Sequence, residues 1–195
     1  MKYFYLVLGL FLATAVLADQ KPLLQDDFSK VDLKQRRASR GDWKFSNGIA
    51  SCTQDDELFK KNQDHGPIIF YDLPHTDATV KFSFKPEGAK SVVFTANGEK
   101  GHVFRFVINS AGLNVRAFPP DAVSKSISLG QEKIPFVSGE WVAVEVKLAG
   151  SKASVKIADS FEKTYEHASL ASPKVNLSVG FSFGTLSVKD FIVYQ

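Results

Sequence analysis

The sequence is poor in sulfur, with one Cys and one Met among 195 residues. A single Cys excludes both an intrachain disulfide framework and a zinc site built from several cysteines. Charge of one sign is also scarce, because 24 basic and 21 acidic residues leave a formal net charge of only +3. Nucleic-acid-binding proteins usually carry a large excess of positive charge, which this chain lacks, so we expect no nucleic-acid partner. The hydrophobic content of 44% is instead typical of an ordinary folded domain.

An uncharged segment opens the chain and runs from Tyr3 to Ala18, directly after Lys2. Its small residues at Val16 and Ala18 match the pattern of a secretory signal peptide that is cleaved after Ala18. The segment is shorter than the roughly 20 apolar residues that a membrane-spanning helix needs. We therefore predict a signal peptide at 1–18, a single domain at 19–195, a secreted or periplasmic location and no membrane contact after cleavage.

The lone thiol, Cys52, lies in the strand-like segment Ile49 to Thr53. Free cysteines behave as small hydrophobic residues and are among the most buried residue types. We therefore predict a buried and unreactive thiol.

After the opening segment, the hydrophobic residues follow a period of two and form no helical stripe. In Thr79 to Lys85 every second residue is apolar, which predicts a strand with one buried face. Trp141 to Leu148 alternates in the same way. Asn47-Gly48 and Ala149-Gly150-Ser151 are typical of the turns that connect such strands into hairpins.

About ten to twelve short strands of this kind predict an all-β domain, either a barrel or two antiparallel sheets packed face to face. Two long stretches, Asp55 to Gly66 and Pro119 to Phe136, lack the alternation. We expect them to be irregular connections, either between sheets or over one face. Such connections favour the two-sheet sandwich over the barrel.

Several short motifs resemble the concanavalin A-like, laminin-G-like jelly-roll superfamily. They are Asp26-Asp27-Phe28, Trp43 with Gly48, Gly139-Glu140-Trp141, and Val179-Gly180-Phe181 followed by Val188 to Tyr194. This resemblance implies an all-β, two-sheet antiparallel jelly-roll sandwich. It also implies carbohydrate as the partner, with the glycan bound on the concave sheet.

Within this superfamily, the chain resembles secreted 3-keto-disaccharide hydrolase-like domains most in length, opening and ending. Their Asn-Ser-Gly-like segment with a following Arg has only a loose counterpart in Ser91 to Gly98. The Glu-x-Asp-x-x-Glu strand of the family 16 glycoside hydrolases is absent. The resemblance leaves three functions open: glycan binding without cleavage, which we favour, glycoside hydrolysis, and protein interaction in the laminin-G manner.

Two arginines flank the segment Asn109 to Gly112. If Ser110 and Ala111 form a two-residue hairpin turn, Arg105 lies directly opposite Arg116. Like charges in that position destabilise a strand pair unless an anionic group lies between them. Each guanidinium group presents several N–H donors in one plane. The two groups together therefore predict a binding site, here called a clamp, for a carboxylate or for sugar hydroxyls. The alternative is neutralisation by a neighbouring carboxylate or by solvent, or a bulge that offsets the two side chains.

Aromatic rings can stack on the apolar face of a sugar, so Trp43 and Tyr71 are candidate ligand contacts. Trp43 and Trp141 both begin predicted strands, where packing in the core or at a strand edge is the alternative role. We expect that packing role above all for Trp141.

Three consecutive acids, Asp55-Asp56-Glu57, precede His65 in a polar segment. Two carboxyl groups at a suitable separation can cleave a glycosidic bond, so Glu57 is the candidate catalytic residue of the hydrolase alternative. Consecutive acids are also typical of a solvated turn, which is the competing interpretation.

Asp190 falls on the same predicted strand face as Val188 and Ile192, where an unpaired carboxylate would be costly. A β-bulge at Lys189 would turn the carboxylate outward. The resemblance offers a second explanation, because related sandwiches can hold calcium near their first and last strands. Asp27 and Asp190 are then a possible structural calcium site, and we expect no other cofactor.

Overall fold

The computed structural model describes residues 21–29, 33–121 and 125–195. The signal peptide predicted at 1–18 lies outside the described residues. In the part of the chain that is described, no helix has the length and apolar character needed to cross a membrane.

The described residues form fifteen β-strands, one short α-helix and one 3₁₀ turn. The helix α1 spans Asp56–Lys61, and the 3₁₀ turn spans Ala168–Ala171. The strands are β1 (Leu24–Asp26), β2 (Arg36–Ser39), β3 (Lys44–Ser46), β4 (Ile49–Thr53), β5 (Ile68–His75), β6 (Ala78–Glu87), β7 (Ser91–Gly98), β8 (Gly101–Asn109), β9 (Gly112–Ala117), β10 (Ile127–Glu132), β11 (Val142–Ala149), β12 (Lys152–Ile157), β13 (Phe161–Glu166), β14 (Lys174–Ser182) and β15 (Thr185–Tyr194).

These strands build two sheets in which neighbouring strands run antiparallel. The eight-stranded sheet has the order β13-β12-β11-β6-β15-β4-β3, with β1 also paired to β15. The seven-stranded sheet has the order β10-β9-β8-β7-β14-β5-β2. The predicted all-β jelly-roll sandwich of two antiparallel sheets is therefore confirmed.

Aromatic side chains from both sheets fill the space between them. Phe82 of β6 stacks on Phe94 of β7 with ring centroids 5.8 Å apart, and Phe191 of β15 stacks on Tyr71 of β5 at 3.9 Å. Burial of each such side chain contributes about 1.5–3 kcal/mol to folding. The core consequently lies between the sheets, and the outer faces of both sheets are left for solvent or ligands.

The alternation along each strand decides which side chains reach the outer faces. In β6, Val80, Phe82 and Phe84 are buried and Lys81 is exposed, as the sequence pattern predicts. In β8, Phe104 and Phe106 are buried, which directs Arg105 between them to the outer face of the seven-stranded sheet.

The predicted hairpins are present. Asn47 and Gly48 connect β3 to β4 with φ angles of 52° and 75°, the left-handed conformation that a type I′ turn requires. Asn109 pairs with Gly112 across the β8–β9 turn, and Ala149 pairs with Lys152 across the β11–β12 turn.

Both stretches predicted to be irregular contain regular structure. The first holds α1, whose N-terminus is capped by Asp55 through a 2.8 Å hydrogen bond from the Leu58 N–H. The second holds β10, the edge strand of the seven-stranded sheet. Strands of three or four residues, such as β1 and β2, are too short to show alternation, which explains why the predicted number of strands was too low.

Cys52 is 2% exposed, which confirms the predicted burial. Loss of water around the thiol is the main reason why its pKa is raised to about 11. The thiolate, which is the reactive form of cysteine, is therefore disfavoured at neutral pH.

Candidate functional site

Arg105 and Arg116 lie side by side on the outer face of the seven-stranded sheet. They are direct partners in the β8–β9 register, and no bulge interrupts the pairing between these strands. The predicted juxtaposition of the two arginines is therefore confirmed. Neither guanidinium forms an ion pair with a carboxylate from the described part of the chain.

Each of the two guanidiniums is held by neutral oxygen atoms. Arg105 Nε donates to Thr95 Oγ1 at 3.3 Å, and Arg116 Nε donates to Ser126 Oγ at 3.0 Å. Arg116 Nη2 also donates to the Ser126 carbonyl oxygen at 3.1 Å. Partial burial, followed by the charge of Arg116, lowers the pKa of Arg105. An anionic group between the two arginines would relieve their mutual repulsion.

A chain of hydrogen bonds extends from Arg105 across β7 to β14. Arg105 Nη2 lies 2.5 Å from His102 Nε2, and His102 Nδ1 lies 2.6 Å from Asn97 Oδ1. Asn97 Nδ2 then donates to Asn176 Oδ1 at 2.7 Å. Three strands of the sheet thus contribute polar side chains to one connected network.

The direction of the network follows from the chemistry of its members. Arginine can only donate, so His102 Nε2 accepts and the proton of the neutral imidazole is on Nδ1. Burial, and secondarily the charge of Arg105, lowers the pKa of His102 to about 4. At neutral pH the imidazole is therefore neutral. It accepts a hydrogen bond from Arg105 at Nε2 and donates one from Nδ1 to Asn97 Oδ1.

Sequence reasoning did not find His102 and Asn97. Strict alternation from the buried Phe104 would turn His102 inward, but the β7–β8 register shifts between Ala96 and Asn97. This bulge buries Val103 as well as Phe104 and turns His102 outward, opposite Asn97. The glycine-rich turn after Asn97 marks the hairpin in the sequence, but it does not reveal the bulge.

A groove of about 410 Å³ runs over this face of the sheet, beside the network. Its volume falls within the range of about 300–1,000 Å³ that is typical of small-molecule sites. Its lining combines polar side chains of the network with apolar and charged side chains. Among the lining residues are Thr95, Asn97, His102, Arg105, Ser178, Phe70, Val93, Arg40, Asp64 and His65.

The two aromatic residues predicted as ligand contacts lie in the core. Trp43 is 7% exposed and packs edge-on against Phe181, with ring centroids 6.0 Å apart. Tyr71 is 1% exposed, stacks on Phe191 and donates a 3.0 Å hydrogen bond from its hydroxyl to Asp26 Oδ2. Neither ring can stack on a ligand from solvent in this structure, so they do not form part of the candidate site.

Trp141 has the opposite placement. It immediately precedes β11 and is 37% exposed, whereas the sequence led us to expect a packed side chain. It lies at the outer face of the eight-stranded sheet, on the far side of the sandwich from Arg105.

Glu57 occupies the first turn of α1 and is exposed to solvent. It is not among the residues that line the groove beside Arg105. Arg116 does not line this groove either, so the groove contains Arg105 but neither Glu57 nor Arg116.

The bulge predicted near Lys189 is present. The β15–β6 register shifts between Lys189 and Ile192, and Asp190 has a φ of 55° and an exposed side chain. The Asp27 carboxylate accepts hydrogen bonds from the Ser29 N–H and hydroxyl at 3.0 Å and 2.6 Å. No group of three or more His, Cys, Asp or Glu residues within the described ranges is placed to hold a metal ion.

No family model and no curated protein matches the chain. Solved structures do match it. The carbohydrate-binding module CBM66 from Bacillus subtilis superposes with a TM-score of 0.62 at 9% identity, over 83% of this chain and 96% of that one. The CBM2 module of the evolved Dit of Lactobacillus casei BL23 phage J-1 gives 0.64 at 12% identity, over 89% and 95%.

A carbohydrate esterase from the Shiga toxin-encoding bacteriophage phi24B superposes with a TM-score of 0.56 at 13% identity, over 89% of this chain and 98% of that one. At such low identities these similarities establish the fold alone. Together with the sheet topology, they show that the chain has a concanavalin A-like jelly-roll sandwich fold.

Proposed function

We propose that this protein is a secreted carbohydrate-binding protein that holds a glycan without cleaving it. The binding surface is the outer face of the seven-stranded sheet, which we take to be the concave sheet expected from the resemblance. Two solved structures that share the fold are described as carbohydrate-binding modules, which supports this class of partner. The signal-peptide pattern at 1–18 supports secretion.

The observation that carries the proposal is the in-register pair of Arg105 and Arg116 without a carboxylate partner among the described residues. Two adjacent guanidiniums on a sheet surface favour a ligand that brings its own negative charge. We therefore propose that the glycan carries a carboxylate, as uronic and sialic acids do, and that this carboxylate lies between the two side chains.

The neighbouring network supports recognition of the sugar itself. Thr95, Asn97 and His102 line the groove. His102 donates to Asn97, and Thr95 accepts from Arg105, so these hydrogen bonds hold the polar atoms in fixed positions. Fixed side chains lose less conformational entropy when a ligand binds. Phe70 and Val93 add apolar surface to the same groove, which suits the C–H groups of a pyranose.

An array of carboxylated glycans, printed beside the same glycans as methyl esters, tests the proposal. We expect binding to at least one carboxylated glycan and loss of binding to its ester, because esterification removes the charge and keeps the sugar. Replacement of Arg105 or Arg116 by Ala should weaken binding at least about tenfold, since a hydrogen bond to a charged group contributes about 1.5–3 kcal/mol.

Lys147→Ala is the matched control, because this exposed lysine lies on the outer face of the eight-stranded sheet and its replacement also removes one positive charge. The control variant should bind like the wild type. Equal binding of acid and ester, or wild-type affinity in the doubly substituted Arg105→Ala/Arg116→Ala protein, would contradict the proposal.

A further inference from the structure

A second groove lies on the opposite side of the sandwich, on the outer face of the eight-stranded sheet. Its volume is about 460 Å³. Ser83 of β6 and Ala143 of β11 line it and are direct partners in the β6–β11 register. Because both side chains are small, the surface is depressed between the larger residues around them. Trp141, Asp190 and Ile192 are among these larger residues.

Trp141 brings an exposed aromatic surface to this groove. The Nζ atoms of Lys189 and Lys85 lie 4.6 Å and 5.8 Å from the centre of its ring. Exposed cation–π contacts of this kind contribute only about 0.5–1 kcal/mol, so a ligand can displace either ammonium group. An indole held at the edge of a depression can present one apolar face to a flat ligand.

Asp190 brings a carboxylate without a partner. The other acids that line the groove are paired, Glu145 with Lys81 at 3.1 Å and Asp159 with Lys156 at 3.5 Å. Asp190 makes no hydrogen bond or ion pair with any residue that the structure describes. The bulge in β15 turns this carboxylate away from the core, between the buried Val188 and Phe191, and exposes it at the groove.

The charges around the groove restrict the class of ligand. An anionic ligand would meet the unpaired Asp190, and a cationic ligand would meet Lys85 and Lys189. A neutral ring with an apolar face and several hydroxyl groups avoids both penalties. Such a ring can stack on Trp141, donate hydroxyl protons to the Asp190 carboxylate and accept from the Lys189 ammonium group.

We propose that this groove is a second carbohydrate-binding site, which takes a neutral pyranose. It lies on the eight-stranded sheet, whereas the arginine site lies on the seven-stranded sheet. The two sites are also formed by different residues, and their ligands differ in charge. The domain would then bind two glycans on opposite faces and could bridge them. The two grooves share no lining residue, so the second site is independent of the arginine site.

Binding to an array of neutral glycans, followed by titration of the strongest binder, tests this second site. The chain has two tryptophans, and Trp43 is buried, so acrylamide quenching of fluorescence reports mainly on Trp141. We expect the bound glycan to protect Trp141 from acrylamide. Asp190→Asn should weaken binding about tenfold, because it removes the charge and Asn tolerates the left-handed backbone.

Asp42→Asn is the matched control, since Asp42 is an exposed carboxylate that pairs with Lys44 and does not line either groove. It should bind neutral glycans like the wild type, and so should Arg105→Ala. Absence of neutral-glycan binding, or unchanged affinity in both Trp141→Ala and Asp190→Asn, would overturn the second site. Loss of only the carboxylated glycans in Arg105→Ala would show that the two sites are separate.

Discussion

At the residue scale, a buried ion pair connects the two sheets. Arg36 of β2 in the seven-stranded sheet donates to both Asp26 oxygens, at 2.8 Å and 2.7 Å, and Asp26 belongs to β1 in the eight-stranded sheet. The side chains are 2% and 3% exposed. Tyr71 donates to the same carboxylate, and the Arg36 guanidinium lies 3.9 Å from the centre of the Phe45 ring. The pair therefore orders the first two strands of the described chain against the core.

Replacement of Asp26 by Asn should destabilise the protein by about 3–5 kcal/mol, because it removes the buried negative charge that the Arg36 guanidinium contacts. Chemical denaturation of the purified variant measures this loss. Asp72→Asn is the control, since Asp72 pairs with Arg37 at the surface, where the side chains are 47% and 53% exposed. Surface pairs contribute at most about 1 kcal/mol, so equal losses in the two variants would contradict the assignment.

At the element scale, the β7–β8 hairpin carries His102. This side chain of the hydrogen-bond network has its pKa in a pH range where protein stability can be measured. The folded protein lowers the pKa of His102 from 6.5 to about 4, so the unfolded chain binds more protons between these values. Stability from this group is therefore complete above about pH 6.5 and falls as the pH is lowered toward 4. Below that range its contribution changes no further.

His102→Gln removes this titration and should flatten the stability curve between about pH 6.5 and 4. His75 also has a lowered pKa because of burial, so a comparison with the wild type is needed to isolate His102. The measurement is an NMR titration of the imidazole signal that His102→Gln removes, together with unfolding curves at each pH. A midpoint near 6.5 for that signal would show that the network does not hold the imidazole neutral.

The bulge in β15 explains Asp190 without a bound metal. A ligand that binds only the folded state raises the melting temperature, so a calcium site at Asp27 and Asp190 would be visible in a thermal scan. We expect the same melting temperature with added calcium and with a chelator. A calcium-dependent increase that Asp190→Asn abolishes would contradict this expectation and establish the metal site.

The elements differ in how well the sequence predicts them. The reason is that some depend on interactions between neighbouring residues and others on contacts between residues far apart in the sequence. The opposition of Arg105 and Arg116 follows from a two-residue turn, which is local chemistry. The strand β10 is held at the sheet edge by pairing with β9, and its own residues do not alternate clearly. The bulge that exposes His102 depends on register with β7, which the sequence of β8 alone does not encode.

At the scale of the whole molecule, the packing of the sheets decides which tryptophan is available. Trp43 and Trp141 each lie directly before a strand, so their local sequence contexts are similar. Trp43 faces Phe181 of the opposite sheet and is enclosed, whereas Trp141 lies at the outer face beside Lys189. This difference arises from tertiary packing, which explains why the sequence offered Trp43 as the candidate ligand contact and did not indicate the exposure of Trp141.

The sandwich also presents polar surface on both outer faces, with the arginine pair on one and Trp141 with Asp190 on the other. Opposite faces of two stacked sheets are separated by the thickness of the core, about 10 Å between the sheets. Ligands on the two faces therefore do not compete for space, and each site can be removed by substitution without removal of the other.

The most direct test of the central claim is a two-dimensional ¹⁵N–¹H NMR titration of residues 19–195 with the carboxylated glycan that binds best on the array. We predict that the largest shifts fall on β7, β8 and β9, at Thr95, Arg105 and Arg116 and their neighbours, and that the methyl ester of the same glycan leaves these signals in place. Shifts confined to other surfaces, or identical shifts with acid and ester, would contradict the assignment of the arginine pair as a carboxylate clamp.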